Sequence, residues 1–205
     1  MHLVDPVPLH VEQARAASNG YSAALGDACG LREPDASADA VLLLGPLYHL
    51  TDRGDRLLAL AETRRIVRPG HMIFAAAISR FASLLDALWW RELGDPEHAR
   101  VIERDVLEGR HDNPAGREWF TTAYYHKPEQ LAQEIADAGL QLDTLLAVEG
   151  PGWLVPDFDN RWLDERQRQQ LLQAIASVEH ESSVLGVSNH LLAVAHRPLW
   201  RSDRL

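Results

Sequence analysis

The chain has 205 residues, 46% of them hydrophobic and 24% charged, an ordinary globular mix that excludes a disordered chain. Its length matches about one to one and a half typical domains, enough to bury roughly two-thirds of the unfolded surface around one core. Twenty basic against thirty acidic residues leave a net charge of −10, which argues against nucleic acid as the main partner, because that affinity rests on neutralising phosphates. One cysteine, Cys29, excludes a disulfide framework and a cysteine-based zinc cluster. The longest apolar runs, such as residues 40–44, fall far short of the ~18 residues of a membrane span. Residues 1–5 have neither the basic start nor the apolar stretch of a signal peptide, so the expectation is a cytoplasmic protein without a membrane partner.

His2-Leu3-Val4 predicts a short apolar strand ending at Asp5, followed by an amphipathic helix over residues 9–18 that Asn19-Gly20 stops. A short segment runs to Gly26-Asp27, and Pro34-Asp35-Ala36-Ser37 is a turn cluster. Residues 38–44 read as a fully buried strand, an apolar run without alternation. Thr51 and Asp52 can cap the next helix, with Leu57, Leu60, Ala61 and Val67 inward. Arg64, Arg65 and Arg68 suit its C-terminal dipole, and Pro69-Gly70 ends it. Residues 71–77 form another strand. This alternation predicts a parallel sheet covered on both faces.

Residues 79–126 break the rhythm. Phe81, Leu84, Leu85 and Leu88 keep helical spacing. Asp95-Pro96 starts a second helix with Val101, Ile102 and Val106 on its apolar side, and residues 109–116 are a polar loop. The expectation is one domain over residues 1–205 with a mostly helical cap inserted at about 79–126. A helix from Pro128 to Gly139, a strand over 140–148, a long helix over 163–179 and a strand over 189–195 complete the chain.

Several residues can carry chemistry. A carboxylate such as Asp5, at the carboxyl end of a parallel strand near a switch point, can accept hydrogen bonds from both ribose hydroxyls of an adenosine cofactor. A helix cap or solvated loop acid explains it equally well. Asp27-Ala28 could meet the exocyclic amine of adenine, or be an ordinary turn. Gly45 permits close approach of a ligand, and Tyr48 and His49 would stand at the crevice; alternatively Tyr48 packs and His49 caps the following helix. Tyr125 and His126, where the insertion returns to the sheet, are the best-placed polar tips to face an acceptor. Trp89, Trp90, Trp119, Phe120, Tyr124 and Tyr125 either line an acceptor pocket or pin the cap to the body, and Trp153, Phe158 and Trp162 form a second aromatic group. None of the ten histidines has metal-site spacing, so no metal is expected. Neither a Gly-x-Ser-x-Gly elbow nor a Gly-Lys-Ser/Thr loop is present.

The run from Ala38 through Gly45-Pro46-Leu47-Tyr48-His49-Leu50 resembles the fourth-strand motif of class I S-adenosylmethionine-dependent methyltransferases. Arg65-Ile66-Val67-Arg68-Pro69-Gly70-His71-Met72-Ile73-Phe74 is similar to their helix, Arg-Pro-Gly and fifth strand. His2-Leu3-Val4-Asp5-Pro6 resembles the second strand with its ribose acid, and Gly26-Asp27-Ala28 the third. Tyr125 to Leu140 and the late strand ending His196-Arg197-Pro198 are similar to the family's tail, which a nicotinamide-dependent oxidoreductase fits less well.

The resemblance implies a Rossmann-like, doubly wound α/β fold, mainly parallel, with an antiparallel C-terminal strand and a helical insertion. It implies S-adenosylmethionine as cofactor and methyl transfer to a small-molecule acceptor. Asp5 would hold ribose, Asp27 and Ala28 the adenine side, and Leu44 and Gly45 the methionine side. Tyr48 and Tyr125 would contact the acceptor, and His49 or His126 would serve as acceptor contact or general base. The family's first, central strand and its glycine-rich loop would have to precede Met1. A shortened chain, a homodimer partner filling the gap, or a non-catalytic binding protein that has lost the cofactor loop are the readings this departure leaves open.

Overall fold

A computed structural model describes residues 1–17, 20–90, 92–113 and 120–199. The opening apolar run forms β1 (His2–Asp5), which leads through α1 (Pro8–Ala17) to β2 (Ser22–Leu25). β3 (Ala38–Leu43), the short α2 (Pro46–His49) and α3 (Arg53–Ile66) follow. Of the two candidate caps Asp52 serves α3, its Oδ1 accepting the Gly54 N–H at 2.7 Å. α3 ends short of Pro69-Gly70, because Val67 is extended (ψ 142°) and opens β4 (Val67–Ser79). Arg68 therefore pairs with Asp39 on β3 instead of lying at a helix end.

Beyond β4 come α4 (Ala82–Trp90), α5 (Pro96–Glu108), β5 (Arg110–His111) and β6 (Ala123–His126). The segment expected to be mostly helical thus also contributes a small hairpin. α6 (Pro128–Asp137), β7 (Gln141–Ala147), α7 (Phe158–Leu163), α8 (Glu165–Ala176), α9 (Ser182–Leu185) and β8 (His190–His196) complete the described chain. The single long helix expected over 163–179 is two, broken at Asp164. That residue is extended and caps α8 by accepting the Gln167 N–H at 2.9 Å. Ser18, Asn19 and Trp119 lie outside the described residues.

β4 organises the sheet. β8 runs antiparallel along it from Met72 to Ile78, and β7 pairs antiparallel with β8. On its other edge, β3 pairs in parallel with residues 72–75 and β6 in parallel with Ile78 and Ser79. A 13-residue strand is long enough to take both partners on one edge. β1 and β2 pair in parallel as a separate sheet, so among the described residues the outer edge of β3 has no strand beside it. That small sheet is tied to α3 through the loop after β2. Arg65 donates to the carbonyls of Leu31 (2.9 Å) and Glu33 (2.7 Å), and His2 meets Glu33 at 3.1 Å.

Alternation along the strands decides which face is covered. Leu43, Ile73, Ala75, Ala77, Leu191 and Ala193 point to one face, where Leu47, Leu60, Leu131 and Ile135 from α2, α3 and α6 bury them. Each such leucine or isoleucine contributes about 1.5–3 kcal/mol when fully buried, and each alanine methyl about 0.8 kcal/mol. Leu42 and Leu44 point to the other face and are each 58% exposed. The expectation of two covered faces therefore holds fully for only one.

Candidate functional site

The carboxyl ends of β1, β2 and β3 carry the five residues expected around the cofactor, Asp5, Asp27 and Ala28 on its nucleoside side and Leu44 and Gly45 on its methionine side. Asp5 closes β1, its Oδ1 accepting the Val7 N–H at 2.8 Å and lying 3.2 Å from His10 Nδ1. Its second oxygen has no partner among the described residues. Asp27 makes a tight turn by accepting the Cys29 N–H at 2.8 Å, and Ala28 packs against the main core. Burial first, then the carboxylates of Asp27 and Asp55, push the Cys29 thiol up to about 11, so it is a protonated packing group. Leu44 is exposed. Gly45 is buried at φ 146°, a conformation that L side chains rarely adopt, and its carbonyl accepts from the Tyr48 and His49 N–H groups that open α2.

Tyr48 is half-buried against Ile78, Ala82, Ala123 and Tyr125. His49 is exposed, its ring stacked 6.3 Å from Phe120. Thus Tyr48 and His49 stand at the end of β3 beside Gly45, whereas Tyr125 and His126 are drawn inward.

The expected roles of His126 and Tyr125 do not match their burial. β6 joins the edge of β4, which places both side chains inside. His126 Nε2 lies 3.2 Å from Glu134 Oε2, and Nδ1 is buried without a partner. Arg56, also buried, donates to Glu134 at 2.8–3.2 Å and to the carbonyls of Leu50 and Thr51 at 3.0 Å, and lies 3.8 Å from the Tyr124 ring centre. Burial raises Glu134, but hydrogen bonds from His126 and Arg56 outweigh it and hold the carboxyl at about 2. Burial, with the Arg56 and Arg80 charges adding to it, lowers His126 against the opposing effect of Glu134, so the imidazole is neutral and Arg56 is the buried charged partner of Glu134. Tyr125 is stacked on His111 at 5.2 Å. Burial, with Asp105 and Asp86 adding to it, keeps its hydroxyl protonated well beyond the usual range. His111 is bound in turn to buried Asp105 at 2.8 Å, which also accepts from Ser83 at 2.7 Å. These are internal ties.

A further pair lies at the same end of the sheet. Glu149, after β7, lies 2.5 Å from His190 Nδ1 and accepts the His190 N–H at 2.8 Å and the Ser188 hydroxyl at 2.7 Å. Burial raises Glu149, yet the bonds from His190 and Ser188 hold it at about 2, while Glu149 raises His190 against the opposing effect of burial. Sequence reading missed this pair and Arg56–Glu134, whose members lie 41 and 78 residues apart with no spacing signal to join them. A cavity of about 620 Å³ lined by Gly70, Met72, Gln141, Asp143, His196, Pro198 and Leu199 opens at the opposite end of the sheet. Among the described residues no group of three His, Cys, Asp or Glu could hold a metal ion, and no helix is long and apolar enough to cross a membrane.

These shifts give stability a signed pH dependence. Glu134 and Glu149 lie below the usual carboxylate value, so each adds stability above about pH 4.3 that is lost as pH falls through about 2. His126, held neutral, adds stability above about pH 6.5 that is lost on acidification below it. His190, raised, adds stability below about pH 6.5 that is lost as pH rises through its folded value. Melting temperatures are expected to fall first below about pH 6.5 and again below about pH 4. In His126→Gln the first step should shrink while the second stays.

Residues 1–75 match a family model described as a methyltransferase domain. That span runs from β1 into β4 and encloses Asp5, Asp27, Ala28, Leu44, Gly45, Tyr48 and His49. A solved S-adenosylmethionine-dependent methyltransferase from Methanosarcina mazei is similar over 97% of this chain and 82% of its own, with 13% identity and a TM-score of 0.59. The chain has the class I methyltransferase fold. A Mesorhizobium loti methyltransferase is similar to the same degree, with 13% identity, 96% and 79% coverage and a TM-score of 0.59. The [4+2]-cyclase SpnF is also similar, with 15% identity, 97% and 66% coverage and a TM-score of 0.55. The methyltransferase fold is thus shared with a protein named for a cyclisation, and the fold alone does not fix the reaction. No curated protein matches the chain.

Proposed function

We propose that this protein transfers a methyl group from S-adenosylmethionine to a small-molecule acceptor. The observation that carries the reading is the methyltransferase-domain match over residues 1–75. The residues present suit the nucleoside half of the cofactor. Asp5 offers an unpaired carboxylate oxygen to the ribose hydroxyls, Asp27 and Ala28 lie at the next strand end, and the exposed Leu44 and the unusual backbone of Gly45 supply apolar contact and close approach. When bound, the cofactor supplies a methyl group on a positively charged sulfur. The chain's own part is to bind, orient and exclude water, which lowers the barrier by making the encounter effectively unimolecular. His49 and Tyr48, beside Gly45, are the acceptor-side contacts in this reading.

Calorimetry with S-adenosylhomocysteine tests it. Binding is expected, and Asp5→Ala should weaken it about 10- to 100-fold, the ~1.5–3 kcal/mol of a hydrogen bond to a charged group. Absence of binding at millimolar ligand overturns the reading. Association of two copies along the open edges of β1 and β3 belongs to the same proposal. Light scattering should then show a dimer, and a monomer at every concentration refutes it.

A further inference from the structure

Burial alternates residue by residue along the strands of the main sheet, and one set of alternate side chains stays uncovered. β8 shows this although it has a strand on each side. Leu191, Ala193 and Ala195 are buried, while Leu192 and Val194 between them stay partly exposed. Paired residues share a face, so the register sets out cross-strand rows on the uncovered side. Leu42, Phe74 and Val194 form one row, and Ala76, Leu192 and Leu146 the next. None of the six is buried. Only toward the carboxyl end of β4 does this face gain cover, where Ile78 packs with Ala82 and Tyr125. An apolar sheet face calls for a packed layer, and α2, α3 and α6 supply one to the opposite face alone.

The amount of open surface is what a second protein layer needs. The chain has 12461 Å² of accessible surface. A folded monomer of 205 residues has roughly 9,600 Å² by the usual scaling with mass. A third of that difference already exceeds the ~800 Å² that each partner gives to a standard interface. Charge does not oppose contact here, despite the net −10 of the chain. The two rows carry no charge, and the carboxylates at the ends of the face are paired, Asp143 with His196 at 2.9 Å and Glu149 with His190 at 2.5 Å. The relief of the face suits a copy of itself. Phe74 and Ala76 stand two residues apart on β4, a projection beside a recess. A two-fold axis over β4 sets each Phe74 against the Ala76 of the other copy, as side chains interdigitate when sheets pack face to face.

We propose that this face is the contact surface for a second copy of the chain, the two sheets packing face to face across a two-fold axis over β4. The contact is independent of the methyl-transfer reading. It is also distinct from association along the open edges of β1 and β3, which would extend a sheet sideways and leave this face bare.

Sedimentation equilibrium of the full chain and two variants tests it, with far-ultraviolet circular dichroism to show that each variant folds. The unaltered chain should be a dimer, or a tetramer if the strand edges join as well. Leu42→Lys, at a strand position that is exposed in the single chain, should raise the dissociation constant of the face contact about 30-fold or more. Ala76→Leu adds apolar area but fills the recess opposite Phe74, so it should weaken association too, which general stickiness would not produce. Hydrogen exchange separates the two contacts. In a face-to-face dimer the outer-edge amides of β3 should exchange as fast as in the dissociated Leu42→Lys chain. A monomer at every concentration overturns the proposal and leaves the face to a partner of another kind. A mass that neither substitution changes, or tighter association of Ala76→Leu, overturns it as well. If the β1 and β3 amides gain protection while the mass resists both substitutions, the copies meet at the strand edges instead.

Discussion

Glu134→Ala is expected to lower the stability of the fold by about 3–5 kcal/mol, the cost of leaving a buried cation without its counter-charge. Arg56 is 2% exposed and Glu134 3%, so water cannot replace the lost partner without opening the structure. Among the described residues the substitution leaves the guanidinium with the Leu50 and Thr51 carbonyls and the Tyr124 ring, and takes from His126 its side-chain hydrogen-bond partner. Urea titration should show the midpoint falling with little change in slope, and the melting temperature should drop by roughly 10 °C at this chain length. Replacing both Arg56 and Glu134 by apolar residues should recover most of the loss, because a buried pair costs nearly as much desolvation as its attraction returns. A single variant within about 0.5 kcal/mol of the parent would show that the pair is not buried in solution.

Arg80→Met is the second large effect, and it should be local. Arg80 is buried at the carboxyl end of β4 and touches no carboxylate among the described residues. It donates instead to the Tyr125 carbonyl (2.9 Å), Gln130 Oε1 (2.6 Å) and the Leu107 carbonyl (3.3 Å), joining β6, α6 and α5. Gly109 makes room for it. At φ 78°, a Cβ there would lie 2.4 Å from both Arg80 Nη2 and the Tyr125 carbonyl oxygen. Removing the guanidinium leaves buried acceptors unsatisfied at ~1–3 kcal/mol each, partly offset by relief of the desolvated charge. The expected net loss is about 2–4 kcal/mol. Hydrogen exchange should show protection lost first in α5 and β5, while β3, β4 and β8 keep theirs. Uniform loss of protection would mean that Arg80 supports the whole core and does not act as a clasp for this segment.

The amino-acid sequence determined the main strands β1, β3, β4, β7 and β8 and the helices α1, α3, α5 and α6, because those signals are local. Apolar runs at 38–44 and 71–77, Asp52 and Asp95 as caps, and Pro128 with Gly139 around α6 act through neighbours a few residues away. The same locality placed Asp5 and Gly45 at strand ends, since each follows directly on an apolar run, and Asp27 two residues past Leu25. Tertiary structure alone decided what became of the polar residues further on. His126 and Tyr125 looked like exposed tips from their position before a helix, but pairing of β6 with the end of β4 turned them inward. No local signal marks Glu134, Arg56 or Arg80, which packing buries. Glu149 and His190 became a pair only when β7 and β8 came together. Burial and ion pairing depend on which distant segments pack, and a linear pattern carries no term for that.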